Sequence, residues 1–182
     1  MSITIAKWTI EQYHNLVNAG MLIDRRVELL VGDIIEMSPE AMPHAVYCGD
    51  AVDYLKQLLG NKAKVREAHP ITLPNDSEPE PDIAIVVPSP NRYLDHHPYP
   101  ADVFWLIEYA DSTLTKDLNT KQQIYAAAGI KEYWIVNLQA LELIIFRGMS
   151  NSGYQTETRV ATGNISPLSF PDLNIEVKRL FS

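Results

Sequence analysis

One cysteine, Cys48, occurs in 182 residues. A single thiol excludes an intrachain disulfide framework and a Cys-rich zinc site, and it suits a reducing cytosol, so the expected location is cytoplasmic. Long apolar runs are missing as well. Stretches such as residues 104–107 (FWLI) fall far short of the roughly 20 residues that cross a bilayer. Residues 1–8 have no basic start followed by a long apolar core, so neither a signal peptide nor a membrane partner is expected. Positive charge is scarce: 15 Lys plus Arg stand against 23 Asp plus Glu, for a net charge of -8. That balance excludes a protein that coats nucleic acid by bulk electrostatics, and any contact with DNA must be local.

The chain is 46% hydrophobic and 21% charged, the composition of an ordinary globular domain. At this length roughly 70% of the unfolded surface can be buried, so a core forms without a metal cage. No repeat, low-complexity tract or linker divides the chain, and one domain is expected over residues 1–182.

Thr9 and Gln12 form a capping-box pattern, and Ile10, Tyr13, Leu16 and Val17 give a helical stripe that Gly20 ends. Residues 26–37 (RVELLVGDIIEM) read as a hairpin around Gly32-Asp33. Cys48, Val52, Leu55 and Leu59 recur at helical spacing, which predicts a core-facing helix over 44–59. Strands are expected at 64–73, 83–87, 103–109, 132–137, 141–147 and 154–160, with a proline-rich surface loop at 88–100. Ser112 or Thr113 caps a helix that runs to Ala128. The order helix, strand, strand, strand, helix, strand points to an α/β or α+β sheet with helices packed on it.

Three places carry possible chemistry. In residues 77–83 (SEPEPDI), Glu78 and Glu80 read as an exposed acidic turn. Asp82 differs, because it stands at the mouth of a buried strand, where a charge needs a partner or a metal. Glu108 directly follows the apolar residues 104–107 and is either half of an ion pair with an Arg or Lys, or a functional carboxylate. If the two strands are neighbours, both carboxylates converge on one point, as a hard cation such as Mg²⁺ requires. Lys121 completes the four-three-four-three stripe of Leu114, Leu118, Tyr125 and Ala128, and so points inward. The alternative is an Asp117–Lys121 surface pair at i, i+4. Two metal-binding acids and a lysine form a minimal apparatus for cutting a phosphodiester. His69, His96 and His97 have no second ligand at metal-like spacing and read as strand and loop residues.

At these residues the sequence resembles the PD-(D/E)XK nuclease superfamily, with its restriction-endonuclease-like fold: Pro81-Asp82, then Glu108, then a lysine on the following helix. More closely, it resembles the Uma2 family, formerly a domain of unknown function, whose members are read as endonucleases. The resemblance runs through VELLVGDIIEMSP (27–39), His44, EPEPDIAIV (78–86), ADVFWLIEYADSTL (101–114) and DLNTKQQIYAAAGIKEYWIVN (117–137). It implies an α/β restriction-endonuclease-like core, with a mixed central β-sheet flanked by helices and an N-terminal helix and hairpin. The implied activity is Mg²⁺- or Mn²⁺-dependent hydrolysis of DNA, and cutting both strands of a duplex with one site per chain would favour a homodimer. Asp82 and Glu108 would bind the metal, with the Tyr109 carbonyl as a further ligand. Glu28 matches a family glutamate that would add an acid near the metal, although by sequence alone it is equally a strand-edge charge. His44 matches a family histidine and would be accessory, although by sequence alone it reads as a residue of the first turn of its helix. The superfamily's usual lysine, two residues after the glutamate, is Ala110 here, which makes Lys121 its migrated replacement. The alternatives are a catalytically silent binding or regulatory module on the same fold, or a nuclease acting on RNA or nucleotides.

Overall fold

The computed structural model describes residues 4–88, 93–111, 114–150 and 153–182. The expected cap at Ser112 or Thr113, and residues 89–92 of the proline-rich loop, lie outside the described residues. Helix α1 (Ile10–Asn18) begins at the Thr9–Gln12 capping box. The hairpin follows as β1 (Val27–Leu30) and β2 (Asp33–Glu36). Its register, Leu30 opposite Asp33, makes Val31 and Gly32 the two turn residues, one place earlier than the sequence suggests. Both have positive φ, the conformation of a two-residue hairpin turn that matches strand twist. Helix α2 (Met42–Leu59) then buries Cys48, Ala51, Val52, Leu55 and Leu59, the predicted stripe with one alanine added.

Strand β3 (Lys64–Glu67) is much shorter than the expected run to Leu73, because Ala68 turns to positive φ and leads into Pro70. Strands β4 (Ile83–Val86) and β5 (Val103–Ala110) are followed by a helical stretch over residues 114–127. That stretch is α3 (Leu114–Lys116), a π-helical segment (Asp117–Lys121) and α4 (Gln122–Ala127). Strands β6 (Glu132–Asn137), β7 (Glu142–Ser150) and β8 (Gly153–Val160) complete a six-stranded sheet in the order β3-β4-β5-β6-β7-β8. Two-residue strands β9 (Asn164–Ile165) and β10 (Ile175–Glu176) pair separately near the C-terminus.

Among the described residues, only β5 and β6 pair in parallel. A parallel pair needs a crossover, and the 114–127 helix supplies it. Both faces of the central strands are covered. Trp105, Ile107, Tyr109, Trp134 and Val136 face α2 and the C-terminal segment. Leu106, Ala110, Tyr133 and Ile135 face Ile124, Tyr125 and the hairpin residue Leu30. Burial on two sides explains why β5 and β6 read as unbroken apolar runs. The edge strand β8 is largely exposed and carries Glu157 and Arg159, charges that discourage further strand pairing. No helix among the described residues is long and apolar enough to cross a membrane.

Candidate active site

The antiparallel register of β4 and β5 sets Ile83 opposite Ile107. One step further along, Asp82 meets Glu108 across the strands, so the two carboxylates share a face of the sheet. The 114–127 helix lies over that face and carries Lys121. Lys121 Nζ donates to Glu108 Oε1 at 2.8 Å, and Tyr125 Oη donates to the same oxygen at 2.8 Å. Glu28, delivered by β1, stands behind the lysine: Lys121 Nζ lies 3.4 Å from Glu28 Oε2, and Lys116 Nζ donates to Glu28 Oε1 at 2.6 Å. Asp82 Oδ2 accepts from the Tyr109 main-chain N–H at 2.6 Å, and His44 Nε2 sits 3.1 Å from the same oxygen. Asp82, Glu108, Lys121, Glu28, His44 and Tyr109 therefore line one cleft of about 100 Å³, in company with Arg26, Glu40, Glu80, Lys116 and Asp117.

Burial dominates the electrostatics. Glu108 is 3% exposed, and desolvation raises its pKa well above the ordinary carboxylate range. Lys121 pulls the other way, while Asp82, Asp117 and Glu28 add to the rise. For Lys121, burial opposes the charge, yet Glu108, Glu28, Asp117 and Asp82 outweigh it and hold the ammonium firmly cationic. Burial also opposes ionisation of Glu28, but Lys121, Lys116 and the Glu80 N–H bring its pKa below normal. His44 loses basicity to burial and regains more from Asp82, Glu40 and Glu108, so its pKa is raised.

Two sequence readings need correction. Glu78 and Glu80 are not an exposed turn. Glu78 is 4% exposed, because the segment pairs with β1: its N–H donates to the Leu29 carbonyl and its carbonyl accepts from the Leu29 N–H. Its carboxylate accepts from Thr72 Oγ1 and lies 2.9 Å from His14 Nε2. Glu80 borders the cleft, half-buried, 3.5 Å from Arg26. Nor are Asp117 and Lys121 a surface pair, since both are buried. His96 and His97 lie in a loop away from the cleft, where His97 faces Glu78. Lys116 and Tyr125 are the residues sequence reasoning missed. Tyr125 had a helical-stripe signal, but Lys116 had none, because only the π turn brings a residue five before Lys121 onto the same face.

Among the described residues, no three His, Cys, Asp or Glu side chains form a ready-made metal cage. Mg²⁺ does not require one, since it is held by one or two carboxylates and keeps several waters. Glu108 Oε2 and Asp82 Oδ1 accept no hydrogen bond from the described residues, which leaves one oxygen on each facing acid for a hard cation. Another buried carboxylate provides a contrast. Glu132, at the far end of β6, has both oxygens engaged by Arg147, Trp134 Nε1 and the Leu168 N–H. The Asp82–Glu108 pair, by contrast, keeps one oxygen on each acid that accepts no hydrogen bond from the described residues.

No curated protein matches the sequence. Among solved structures, the fold is similar to the crystal structure of a putative nuclease belonging to DUF820 from Anabaena variabilis ATCC 29413. The TM-score is 0.70 with 16% identity, over 87% of this chain and 90% of that one. A family model described as "Putative restriction endonuclease" matches residues 10–178. That span contains every element that builds the cleft, and the chain belongs to the Uma2 family.

Proposed function

We propose that the protein is a Mg²⁺- or Mn²⁺-dependent endonuclease that hydrolyses DNA phosphodiesters in the Asp82–Glu108 cleft. The observation that carries this reading is the placement of the Lys121 ammonium at 2.8 Å from Glu108 Oε1, beside two carboxylates that each keep an unengaged oxygen. Asp82 and Glu108, with the Tyr109 carbonyl, would hold the cation; when bound, it supplies positive charge at the scissile phosphate and makes water a stronger nucleophile. Lys121 orients the attacking water and offsets the negative charge that develops on the phosphoryl oxygens. Its protonated state is secured by four surrounding acids, so it acts as a hydrogen-bond donor and not as the base. Tyr125 holds Glu108 in one rotamer, while the Tyr109 N–H and His44 do the same for Asp82. Glu28 and Lys116 fix Lys121 from behind and are positioning residues.

A plasmid-nicking assay with and without Mg²⁺ tests the proposal. The wild type nicks only with the metal. Asp82→Ala falls to background, and Lys121→Ala loses roughly 10²- to 10³-fold, the usual cost of removing one transition-state donor. A wild type that cuts nothing, or variants that cut equally well, would overturn the mechanism. One observation favours a second reading, a silent module on the same fold: Lys121 and Tyr125 both already satisfy Glu108 Oε1, as a purely structural ion pair would. Titration calorimetry separates the two, because the silent module takes up no Mg²⁺ or Mn²⁺.

A further inference from the structure

A basic cleft lies at the edge of the sheet, outside the residues that hold the reacting phosphate. It encloses about 430 Å³ and is lined by Lys56 of α2, by Lys64 and Arg66 of β3, and by His69 and Tyr93, with Glu67 as the acid among them. This is unusual in a chain of net charge -8. Lys64 and Arg66 have no carboxylate partner among the described residues, and Lys56 has only the exposed Asp53 at 3.6 Å. Arg66 is the most telling member. Its guanidinium is held by the Pro70 carbonyl at 3.3 Å and by the Tyr93 ring at 5.3 Å, while its Nε is buried with no hydrogen-bond partner. Burial lowers the Arg66 pKa, the mark of a desolvated cation that lacks a counter-anion. Guanidinium groups fixed in this way recognise phosphate through paired N–H donors.

The cleft also neighbours the active site. A smaller depression of about 70 Å³ shares Glu40, His44 and Asp82 with the active cleft and Glu67 with the basic one. We propose that the Lys56–Lys64–Arg66–His69 cleft binds backbone phosphates of the DNA strand, flanking the phosphate that lies at Asp82 and Glu108. The inference rests on the DNA reading above and adds where the strand is held. It also explains how an acidic protein retains DNA: contact is confined to one short basic track, and phosphate contacts position a strand without reading its sequence.

The test is binding rather than cutting. Anisotropy of a fluorescein-labelled DNA duplex is measured in Ca²⁺ over a salt series, for the full-length wild type and for Lys64→Ala, Lys56→Ala and Arg66→Gln. Each lost phosphate contact lowers the slope of log affinity against log salt by about 0.9, so the affinity lost between roughly 50 and 200 mM salt shrinks about threefold per variant. Lys131→Ala, which removes the same charge at an exposed site just before β6, keeps the wild-type slope. The two exposed lysine variants keep the result readable if Arg66→Gln loses packing on Tyr93. Unchanged affinity and slope in the cleft variants, or no DNA binding by the wild type, would overturn the proposal. Displacement of DNA by inorganic phosphate at equal phosphate concentration would also overturn it, by marking a site for small anions. Wild-type protein that binds through this cleft yet never nicks would support the cleft and refute the hydrolytic reading instead.

Discussion

At the scale of single residues, the site is a buried alternation of charge: Glu28, Lys121 and Glu108 in contact, with Lys116 and Asp82 at either side. The inward turn of Lys121 was legible because Tyr125 and Ala128 continue its phase along the helix. Glu28 was ambiguous in the sequence, and its 1% exposure now separates it from a strand-edge charge. Its pairing makes a pH prediction. The folded pKa lies below the ordinary 4.5, so the stabilisation from Glu28 is whole above that pH and is lost as pH falls through the folded value. Urea unfolding of the wild type and Glu28→Gln should therefore show a gap at pH 7 that closes under acid. A gap that stays constant down to pH 3 would mean that Glu28 is not held by its lysines.

At the scale of elements, two local backbone features aim the side chains. The π segment Asp117–Lys121 inserts one residue into the helix, and π turns commonly occur at functional sites. Upstream of it the expected stripe slips: Asp117 is buried where Leu118 was expected, and Leu118 is only half-buried. Periodicity predicts the helix and the inward lysine, but an inserted residue leaves no mark in the spacing, so Lys116 stayed hidden. The hairpin that carries Glu28 depends on Gly32. A Cβ there would stand 2.8 Å from Lys7 Cβ and 3.1 Å from the Trp8 carbonyl oxygen, at φ +77°. Gly20 has a similar φ of +71° and open space around it. Gly32→Ala should therefore cost roughly 2–3 kcal/mol, and Gly20→Ala only about 1 kcal/mol, since it pays for backbone conformation alone. Equal shifts in the two urea midpoints would show that the Lys7–Trp8 segment does not pack on the turn.

At the scale of the whole molecule, a sheet covered on both faces carries the cleft, and one chain has one Asp82–Glu108–Lys121 site. Under the proposed endonuclease activity, one site would cut one strand at a time, and a duplex break would be favoured by two chains acting together, most simply as a two-fold homodimer. Plasmid digests should then pass through nicked circles before linear DNA, with the linear share rising as protein concentration rises. A linear share that stays constant as protein concentration rises would mean that the second cut does not depend on a second chain. The net charge of -8 also changes meaning: Glu28, Asp82 and Glu108 belong to the cleft itself, and positive charge collects at the β3 edge.

The sequence by itself determined the element order, the capping box, the stripe of α2, the apolar strands, and Asp82, Glu108 and Lys121 as separate candidates, whose convergence waited on the pairing of β4 with β5. These follow from local propensity and from the cost of leaving a charge among apolar neighbours, both of which are written in adjacent residues. Only the tertiary structure decided that Glu78 and Glu80 fold back against β1, that Lys116 joins the site, and that Lys56, Lys64 and Arg66 share a cleft. Those outcomes depend on which strands pair and how a helix is wound over them, and contacts between residues far apart in the chain have no local signature.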